Sequence, residues 1–397
     1  MSEPRAKRQP HGRTVQCPGG YSAFLPAPLP PPIVWDGDLV AALSHADLAI
    51  GRLAGEGRRF PNPHLFVRPF LRREAVLSSR IEGTQTTLGE LLAAEAGAMS
   101  GPDSADLREV GNYVAALEYG LERLDTLPLS LRLIREIHER LMRDVRGDMA
   151  TPGEFRHSQN WIGPSGCSLN DASYVPPPAD ELMGCLDALE RFLHEETLPP
   201  IVHAGLAHAQ FEAIHPFLDG NGRVGRLLIT LLLVRRGILP SPLLYLSAYF
   251  EAARKEYYAR LLAVTQEGAW ETWLIYFLRG VRAQAEDALA RIQRIDDLLV
   301  RWRKQLAGAQ AGRPEQVLGL FVENPFWTVD GLAKALNVAY TTARRAVDRL
   351  EAAGIVSLVG AAKRNRVYCA RAMLAVLEAP LAAVGWADST TDAGAAP

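Results

Sequence analysis

A stretch of twelve residues in the middle of the chain combines residue types that bind phosphates with residue types that act on a hydroxyl group. Its chemically informative members are His215, Asp219, Gly220, Asn221, Gly222, Arg223, Gly225 and Arg226. The glycines let backbone amides approach a ligand closely, and the apolar helix predicted to follow offers unpaired N–H groups in its first turn. The two arginines are three residues apart on one side of that turn, so they suit a polyphosphate better than a single carboxylate.

The acidic residue and the histidine add catalytic groups to this anion site. Asp219 stands directly before the glycine-rich loop, where a carboxylate can hold Mg²⁺ against bound phosphates. His215 ends the preceding predicted helix and is the natural general base for a hydroxyl nucleophile. The alternative is an ordinary turn between two helices, with Asp219 and Asn221 as turn residues. A base, an acid, an amide and two guanidiniums in one loop favour a nucleotide-binding active site over that alternative.

The pattern resembles the signature of a known protein family. HPFLDGNGRVGR fills every fixed position of H-x-F-x-D-G-N-G-R-x-x-R, the signature of the Fic family. LAHAQFEAIHPF resembles the helix that leads into that signature. GEFRHSQNWIG and ASYVPPP resemble the family's segment before its flap and the flap itself. The resemblance spans roughly residues 30–300 and is most specific at residues 215–226.

The resemblance implies an all-α core that splits ATP between its α- and β-phosphates. AMP then passes to a Ser, Thr or Tyr hydroxyl of a target protein, or of the enzyme itself. The residues carried over are the base His215, the apolar anchor Phe217, the magnesium ligand Asp219, the ATP-binding residues Gly220, Asn221, Gly222 and Gly225, the α/β-phosphate contact Arg223, the γ-phosphate contact Arg226 and the adenine-side Tyr257. The flap, around Ser173, Tyr174 and Val175, is expected to align the target as an added β-strand.

A second motif, upstream, predicts a built-in brake. Ser78 and Glu82 are four residues apart on a predicted helix and share a face, and Gly83 can end that helix. S-x-x-x-E-G arises by chance in many helices, but beside this signature it resembles the family's N-terminal inhibitory motif. The resemblance implies that Glu82 pairs with Arg226 and takes the place of the γ-phosphate. Some family members use this glutamate to remove AMP again, and the sequence leaves that activity open.

Hydrophobic periodicity around the site predicts a mainly α fold with a short β-hairpin flap. Helices are predicted near residues 39–53, 69–79, 107–124, 129–145, 180–194, 201–214, 224–236, 248–267, 270–279 and 281–306. Residues 146–180 predict irregular structure with a short hairpin, and the proline-rich residues 26–32 predict an extended arm. The predicted units are an N-terminal arm and helical region (1–105), a catalytic core (106–306), a C-terminal domain (314–378) and a disordered tail (387–397), with residues 307–313 as a linker.

The C-terminal domain resembles a winged helix-turn-helix. Residues 328–338 predict a capped helix and turn, and residues 340–353 predict a second helix that carries Arg344, Arg345 and Arg349. Two predicted strands flank a basic tip at residues 363–366. Nine Lys and Arg against eight Asp and Glu follow residue 312, so DNA contact and protein contact both stay open for this domain.

Composition limits the remaining classes of function. The chain has 397 residues and a net charge of −2, and its four cysteines form no CxxC pair and no cluster with zinc spacing. A chain this long with so few cysteines does not need disulfides, which favours a reducing cytoplasm. The longest apolar run, residues 227–234, is too short to cross a bilayer. The leading hypothesis is a protein adenylyltransferase that uses ATP and Mg²⁺, and formation of a homodimer stays open. The alternatives are transfer of another phosphate-containing group, removal of AMP, and a transcription regulator that senses nucleotide.

Overall fold

The computed structural model describes residues 11–59, 64–97, 104–145, 151–164, 166–238, 242–306, 314–360 and 366–381. The helices are α1 (Gly37–Arg59), α2 (His64–Ile81), α3 (Leu88–Glu95), α4 (Ala105–Arg123), α5 (Leu131–Leu141), α6 (Leu182–Leu193), α7 (Pro200–Ile214), α8 (Asn221–Arg235), α9 (Ser247–Ala252), α10 (Arg254–Glu267), α11 (Trp270–Leu306), α12 (Pro314–Glu323), α13 (Val329–Leu336), α14 (Tyr340–Ala352) and α15 (Arg371–Glu378). The strands are β1 (Gly12–Gln16), β2 (Ser22–Pro26), β3 (Phe326–Thr328), β4 (Ser357–Val359) and β5 (Val367–Cys369). The predicted mainly α fold is confirmed.

Helices α7 and α8 form the centre of the core and meet at the signature loop. Every residue of α7 except Pro200 and Glu212 is buried, as expected for a helix that is apolar all round. Helices α6, α10 and α11 pack on α7, whereas α4 and α5 pack on α8. A loop held between two core helices has little freedom to move, so the geometry of the site depends on the packing of the whole core.

Helix α11 is one element of 37 residues where the sequence predicted two segments. The two predicted segments meet at Gly280, a residue type that often ends a helix. Here the helix runs through Gly280, and the glycine serves packing instead. A Cβ at this position would lie 2.7 Å from the ring of Tyr249. The reverse occurs at the predicted helix 248–267, which is divided into α9 and α10 at Ala253 (φ −125°, ψ 43°).

The N-terminal region contains a hairpin that the sequence analysis did not predict. Strands β1 and β2 pair antiparallel, with Thr14 opposite Phe24. The predicted hairpin within residues 146–180 is reduced to one bridge between Ile162 and Tyr174, and residues 146–150 and 165 lie outside the described part of the chain. Prolines 176–178 explain the reduction, since a proline has no N–H to donate to a ladder.

The C-terminal elements follow one another in the order that the predicted winged helix-turn-helix requires. A three-stranded antiparallel sheet has the strand order β3-β5-β4, and α13 and α14 lie between β3 and β4 in sequence. Thr328 caps α13 by accepting a hydrogen bond from Gly331 N. Residues 307–313, residues 361–365 and the predicted tail at 387–397 lie outside the described residues, so the winged-helix assignment and the domain boundaries stay predictions.

The C-terminal elements dock against the helices around the active site. Helix α12 packs on α2, and α15 packs on α2, α3 and α11. Arg291 of α11 is 1% exposed and binds the Asp287 carboxylate with two hydrogen bonds, at 2.7 and 3.0 Å. Its guanidinium also donates to the carbonyls of Val376, Leu377 and Ala379 at the end of α15. One buried side chain therefore fastens α15 to the body of the protein.

We expect Arg291→Ala to destabilise the folded protein strongly. The substitution leaves three carbonyls without their donor and removes both hydrogen bonds of the half-buried Asp287 carboxylate, which among the described residues keeps only the ion pair with Arg73 at 3.6 Å. Loss of one partner of a buried ion pair costs up to about 3–5 kcal/mol. The melting temperature should fall by roughly 5 °C or more. Arg282→Ala is the control, because Arg282 pairs with Glu286 on the same helix while both side chains are exposed. Equal melting temperatures for the two variants would contradict the assignment.

Candidate active site

The signature loop begins with a left-handed residue. Helix α7 ends at Ile214, and His215 adopts φ 49°, ψ 61°, which turns the chain out of the helix. Gly220 precedes α8 with φ 78°, and a Cβ there would lie 2.9 Å from the Met142 sulfur. Only glycine satisfies both constraints at low cost, which explains its place in the loop.

Asn221 holds the loop closed through both ends of its side-chain amide. Its Oδ1 accepts from Phe217 N at 2.8 Å, and its Nδ2 donates to Phe217 O at 2.8 Å. The Phe217 ring is fully buried and stacks on His138, with ring centroids 3.7 Å apart. The Asn221 side chain is thus occupied within the loop, and its contribution to an anion site is the backbone N–H at the start of α8. Phe217 lies in the core, where an apolar anchor is expected.

Three polar residues that the sequence analysis did not select hold this loop in place. His138 Nδ1 accepts from Gly153 N at 2.9 Å, so the neutral ring carries its hydrogen on Nε2, which donates to Asp219 O at 3.1 Å. Arg156, 2% exposed, donates to the carbonyls of His215, Ser158 and Pro177, and its own N–H donates to Pro216 O. Asn160 Nδ2 donates to the carbonyls of His215 and Phe217. Arg156 and Asn160 lie in GEFRHSQNWIG, the segment that resembles the family's segment before the flap, and that resemblance was the signal available in the sequence.

His215 is held in its neutral form. Burial, and after it the nearby positive charge of Arg156, lower the pKa of the ring to about 4. Its Nδ1 has no hydrogen-bond partner among the described residues. A neutral imidazole at the end of α7 can accept a proton at physiological pH.

The two arginines lie three residues apart near the start of α8 and have spare donors. Arg223 is 4% exposed, and its Nη1 lies 3.7 Å from Glu109 while its Nη2 lies 3.8 Å from Asp219. Nε and Nη1 of Arg223 and Nη1 of Arg226 have no hydrogen-bond partner in the described part of the chain. Buried guanidiniums with unused donors are expected to bind an anionic ligand.

The structure brings Glu82 to Arg226 across 144 residues of sequence. Arg226 Nη2 donates to Glu82 Oε1 at 2.6 Å and to Ser78 O at 3.0 Å, and its Nε donates to Ser78 Oγ at 2.9 Å. Burial would raise the pKa of Glu82, but the charge of Arg226 outweighs it and the pKa is lowered, so the carboxylate is ionised. A Cβ on Gly222 would collide with this carboxylate, so Glu82 lies directly against the start of α8. Gly83 follows with φ 105°, beyond the end of α2 at Ile81.

Asp219 is the acidic residue of the loop and is exposed. Its Oδ1 accepts from Gly220 N at 2.5 Å. The described residues contain no cluster of three His, Cys, Asp or Glu side chains able to hold a metal by themselves. A single carboxylate next to two arginines with free donors fits Mg²⁺ only as a companion of bound phosphates, because phosphate oxygens then complete its ligands.

Two residues predicted to contact ATP, Gly225 and Tyr257, face the interior of the protein. Gly225 faces α7: a Cβ there would collide with the Glu212 carboxylate, and Gly225 O accepts from His208 Nδ1 at 3.0 Å. Tyr257 is fully buried, and its hydroxyl binds His208 Nε2 at 2.8 Å. Gly225 serves the close packing of α7 on α8, and the Tyr257 ring lies in the aromatic core. Contacts of these two residues with ATP stay predictions. Tyr258, 41% exposed, is the accessible member of the tyrosine pair.

The flap residues 173–175 lie beside the end of α7. The hydroxyl of Tyr174 donates to Ala213 O at 2.6 Å, two residues before His215. Ser173 is exposed, and Val175 is half-buried. The flap is therefore fastened next to the candidate base.

Two family models match the part of the chain that builds this site. They are the Fic/DOC family N-terminal region, over residues 40–122, and the Fic/DOC family itself, over residues 128–233. The chain carries a Fic domain. The second match contains the whole signature loop, and the first contains Ser78, Glu82 and Gly83.

Curated relatives of this Fic domain include the protein adenylyltransferase Fic of Drosophila erecta and that of Drosophila melanogaster. Each is 32% identical over 166 residues, which is 40% of this chain and 31% or 32% of the relative. The chain thus spans about a third of the length of the curated relatives it matches. A Fic family protein from Desulfovibrio desulfuricans G20 superposes with a TM-score of 0.57 over 86% of this chain and 98% of its own, at 20% identity. That likeness shows a Fic fold. No helix in the described residues is long and apolar enough to span a membrane.

Proposed function

We propose that this protein transfers AMP from ATP to a hydroxyl side chain of a target protein. The observation that carries the proposal is the juxtaposition of a neutral His215 with two arginines that have free donors at the start of α8. The base lies at the end of one core helix and the anion site at the start of the next. The names of the curated relatives support the same reaction, a nucleotidyl transfer.

The proposed step assigns each group a task. The target hydroxyl oxygen attacks the α-phosphorus, and its proton passes to His215. The bond between the α-phosphorus and the bridging oxygen breaks, and pyrophosphate leaves. Arg223 binds the α- and β-phosphates and Arg226 the γ-phosphate, while Asp219 would hold Mg²⁺, which neutralises phosphate charge when bound.

We further propose that Glu82 inhibits this reaction. Its carboxylate binds the guanidinium that the γ-phosphate needs and lies against Gly222, where phosphate oxygens would approach the helix N-terminus. ATP that binds beside Glu82 has to place its phosphates elsewhere, so the α-phosphorus is not aligned with the hydroxyl. The brake is released when Glu82 moves off Arg226.

Labelled ATP tests the reaction. Incubation with ATP labelled on the α-phosphate should leave label on protein, whereas ATP labelled on the γ-phosphate should leave none. Label retained from the γ position would favour phosphate transfer, and retention of neither label by a variant without Glu82 would contradict nucleotidyl transfer. Treatment of labelled protein with the wild-type chain then shows whether the site also removes AMP.

The pH dependence of transfer should reflect the lowered pKa of His215. The neutral ring is the active form, so activity is lost as pH falls through the pKa of about 4. Between about pH 6 and 8 this residue should cause no change in kcat/KM, although an ordinary histidine titrates there. A profile of kcat/KM against pH measures the position of the acidic limb. A limb near the ordinary value of about 6.5 would show that the ring is not desolvated in solution.

A further inference from the structure

The flap strand has two edges, and both carry backbone hydrogen bonds at adjacent residues. On one edge Ile162 N donates to Tyr174 O at 2.9 Å, and Tyr174 N donates to Ile162 O at 3.0 Å. On the other edge Val175 O accepts from the backbone N–H of Phe24 in β2 at 2.9 Å. Successive residues of a strand direct their backbone groups to opposite edges. The N-terminal hairpin thus occupies the edge that Tyr174 leaves open.

The orientation of β2 is suited to this contact. Phe24 lies opposite Thr14 of β1. Because the Phe24 N–H reaches the flap, Phe24 and Thr14 form a non-hydrogen-bonded pair, whose backbone groups point away from each other. The Phe24 ring lies 6.3 Å from the Tyr174 ring, measured between centroids. Gln210 of α7 donates to the carbonyl of Ala27, the residue after β2, at 2.9 Å, which fastens this end of the hairpin to α7. The hairpin is seated on the flap by a backbone bond, a ring contact and an anchor on α7.

We infer that β2 occupies the edge of the flap strand to which a target strand would be added. This rests on the proposed function, in which an extended target segment aligns along the flap. A target then has to displace β2 and supply an N–H at the position of Phe24 and an apolar side chain against Tyr174. Prolines 176–178 follow Val175 and have no N–H, so this stretch of the edge offers no donor for a longer ladder. A strand held by so short a ladder is exchanged readily.

Amide hydrogen exchange in the full chain tests whether β2 occupies the edge in solution. Ser22 and Phe24 both point their N–H groups away from β1, but the bond to Val175 O belongs to Phe24. The Phe24 amide should exchange at least about tenfold more slowly than the Ser22 amide, because the flap protects it. Equal exchange rates for the two amides would overturn the inference.

A peptide competition tests whether the edge accepts a strand in trans. The probe is a fluorescent peptide with the sequence YSAFLPAPL, which is residues 21–29 of this chain. Phe24→Pro removes the donating N–H from the full chain, whereas Thr14→Pro removes an N–H from the opposite, outer edge of the same hairpin and is the matched control. Phe24→Pro should bind the peptide at least about tenfold more tightly than the wild type or Thr14→Pro, because the tethered competitor is weakened. Equal affinities for the three proteins overturn the inference.

Neither readout needs nucleotide, so the inference and the proposed function fail separately. Tight peptide binding by Phe24→Pro, together with no transfer of α-label from ATP by a variant without Glu82, overturns the proposed function and keeps β2 as the occupant of a strand-binding edge. Transfer of α-label with no difference among the three proteins in peptide affinity overturns the inference and keeps the function.

Discussion

His215→Ala should abolish AMP transfer while ATP binding stays close to that of the wild type. The base acts on the incoming hydroxyl, and the phosphate-binding arginines lie on a different helix. Loss of a general base lowers rates by about 10²–10⁴. The measurement is incorporation of α-labelled AMP together with the Kd for ATP. Transfer at the wild-type rate would remove His215 from the mechanism.

Two further variants separate the chemistry of His215 from its backbone. Its φ of 49° is strained for alanine, whereas asparagine tolerates the left-handed region, so His215→Asn should lose transfer with less loss of stability. His157→Ala is the matched control, because His157 is an exposed histidine next to Arg156. Its transfer rate should equal that of the wild type. Activity retained by His215→Asn would show that the loop conformation, not the imidazole, is what the reaction needs.

Glu82→Gly should increase AMP transfer by roughly tenfold or more. The contact that it removes is a charge-assisted hydrogen bond to a buried guanidinium, worth about 1.5 kcal/mol or more, which corresponds to a factor of about ten. The figure is kept at the lower end because the Glu82 side chain is 34% exposed. Most substitutions of a charged residue in an active site lower activity, so a gain points specifically to release of Arg226. The measurement is AMP incorporation into the chain itself and into lysate proteins, with the ATP affinity recorded in parallel.

The double variant identifies the means of activation. Arg226→Ala should lose transfer. Glu82→Gly combined with Arg226→Ala should behave like Arg226→Ala alone, because activation of transfer depends on the freed Arg226. Glu82→Gln keeps the size of the side chain but not its charge, and should give an intermediate gain. No gain in Glu82→Gly on any acceptor would refute the brake and leave the roles of His215 and Arg223 untouched.

Local chemistry alone predicts much of this protein. The signature is contiguous, so its base, acid and arginines are recognised together without knowledge of the fold. Helices such as α5 and α7 have bounds close to those expected, because hydrophobic periodicity and signals such as the Ser130 cap act within one or two turns. The pairing of Glu82 with Arg226 was expected from resemblance, and the geometry agrees with it, while its inhibitory effect stays a prediction.

Contacts between distant segments decided how the signature loop is held, which predicted site residues are buried, and where some helices end. His138, Arg156 and Asn160 hold the loop from 55 residues or more away, and nothing in their immediate neighbours indicates which carbonyl each one meets. Gly225 and Tyr257 lie in the sequence where ligand contacts were expected, yet the packing of α7 against α8 and α10 turns both into the core. Whether Gly280 ends a helix or admits the ring of Tyr249 depends on which helix packs beside it.

The N-terminal hairpin is the clearest example of structure that contacts between distant segments decide. The proline-rich composition of residues 26–32 predicts an extended chain, but it does not reveal that the preceding residues pair as β1 and β2 and seat Phe24 on Val175, 151 positions later. Side-chain chemistry and helical periodicity are properties of a short stretch of chain, so the sequence by itself determined the candidate reaction and most helices. Burial, strand partners and the occupant of the flap edge are properties of two surfaces that meet only in the folded state, so the tertiary structure alone decided them.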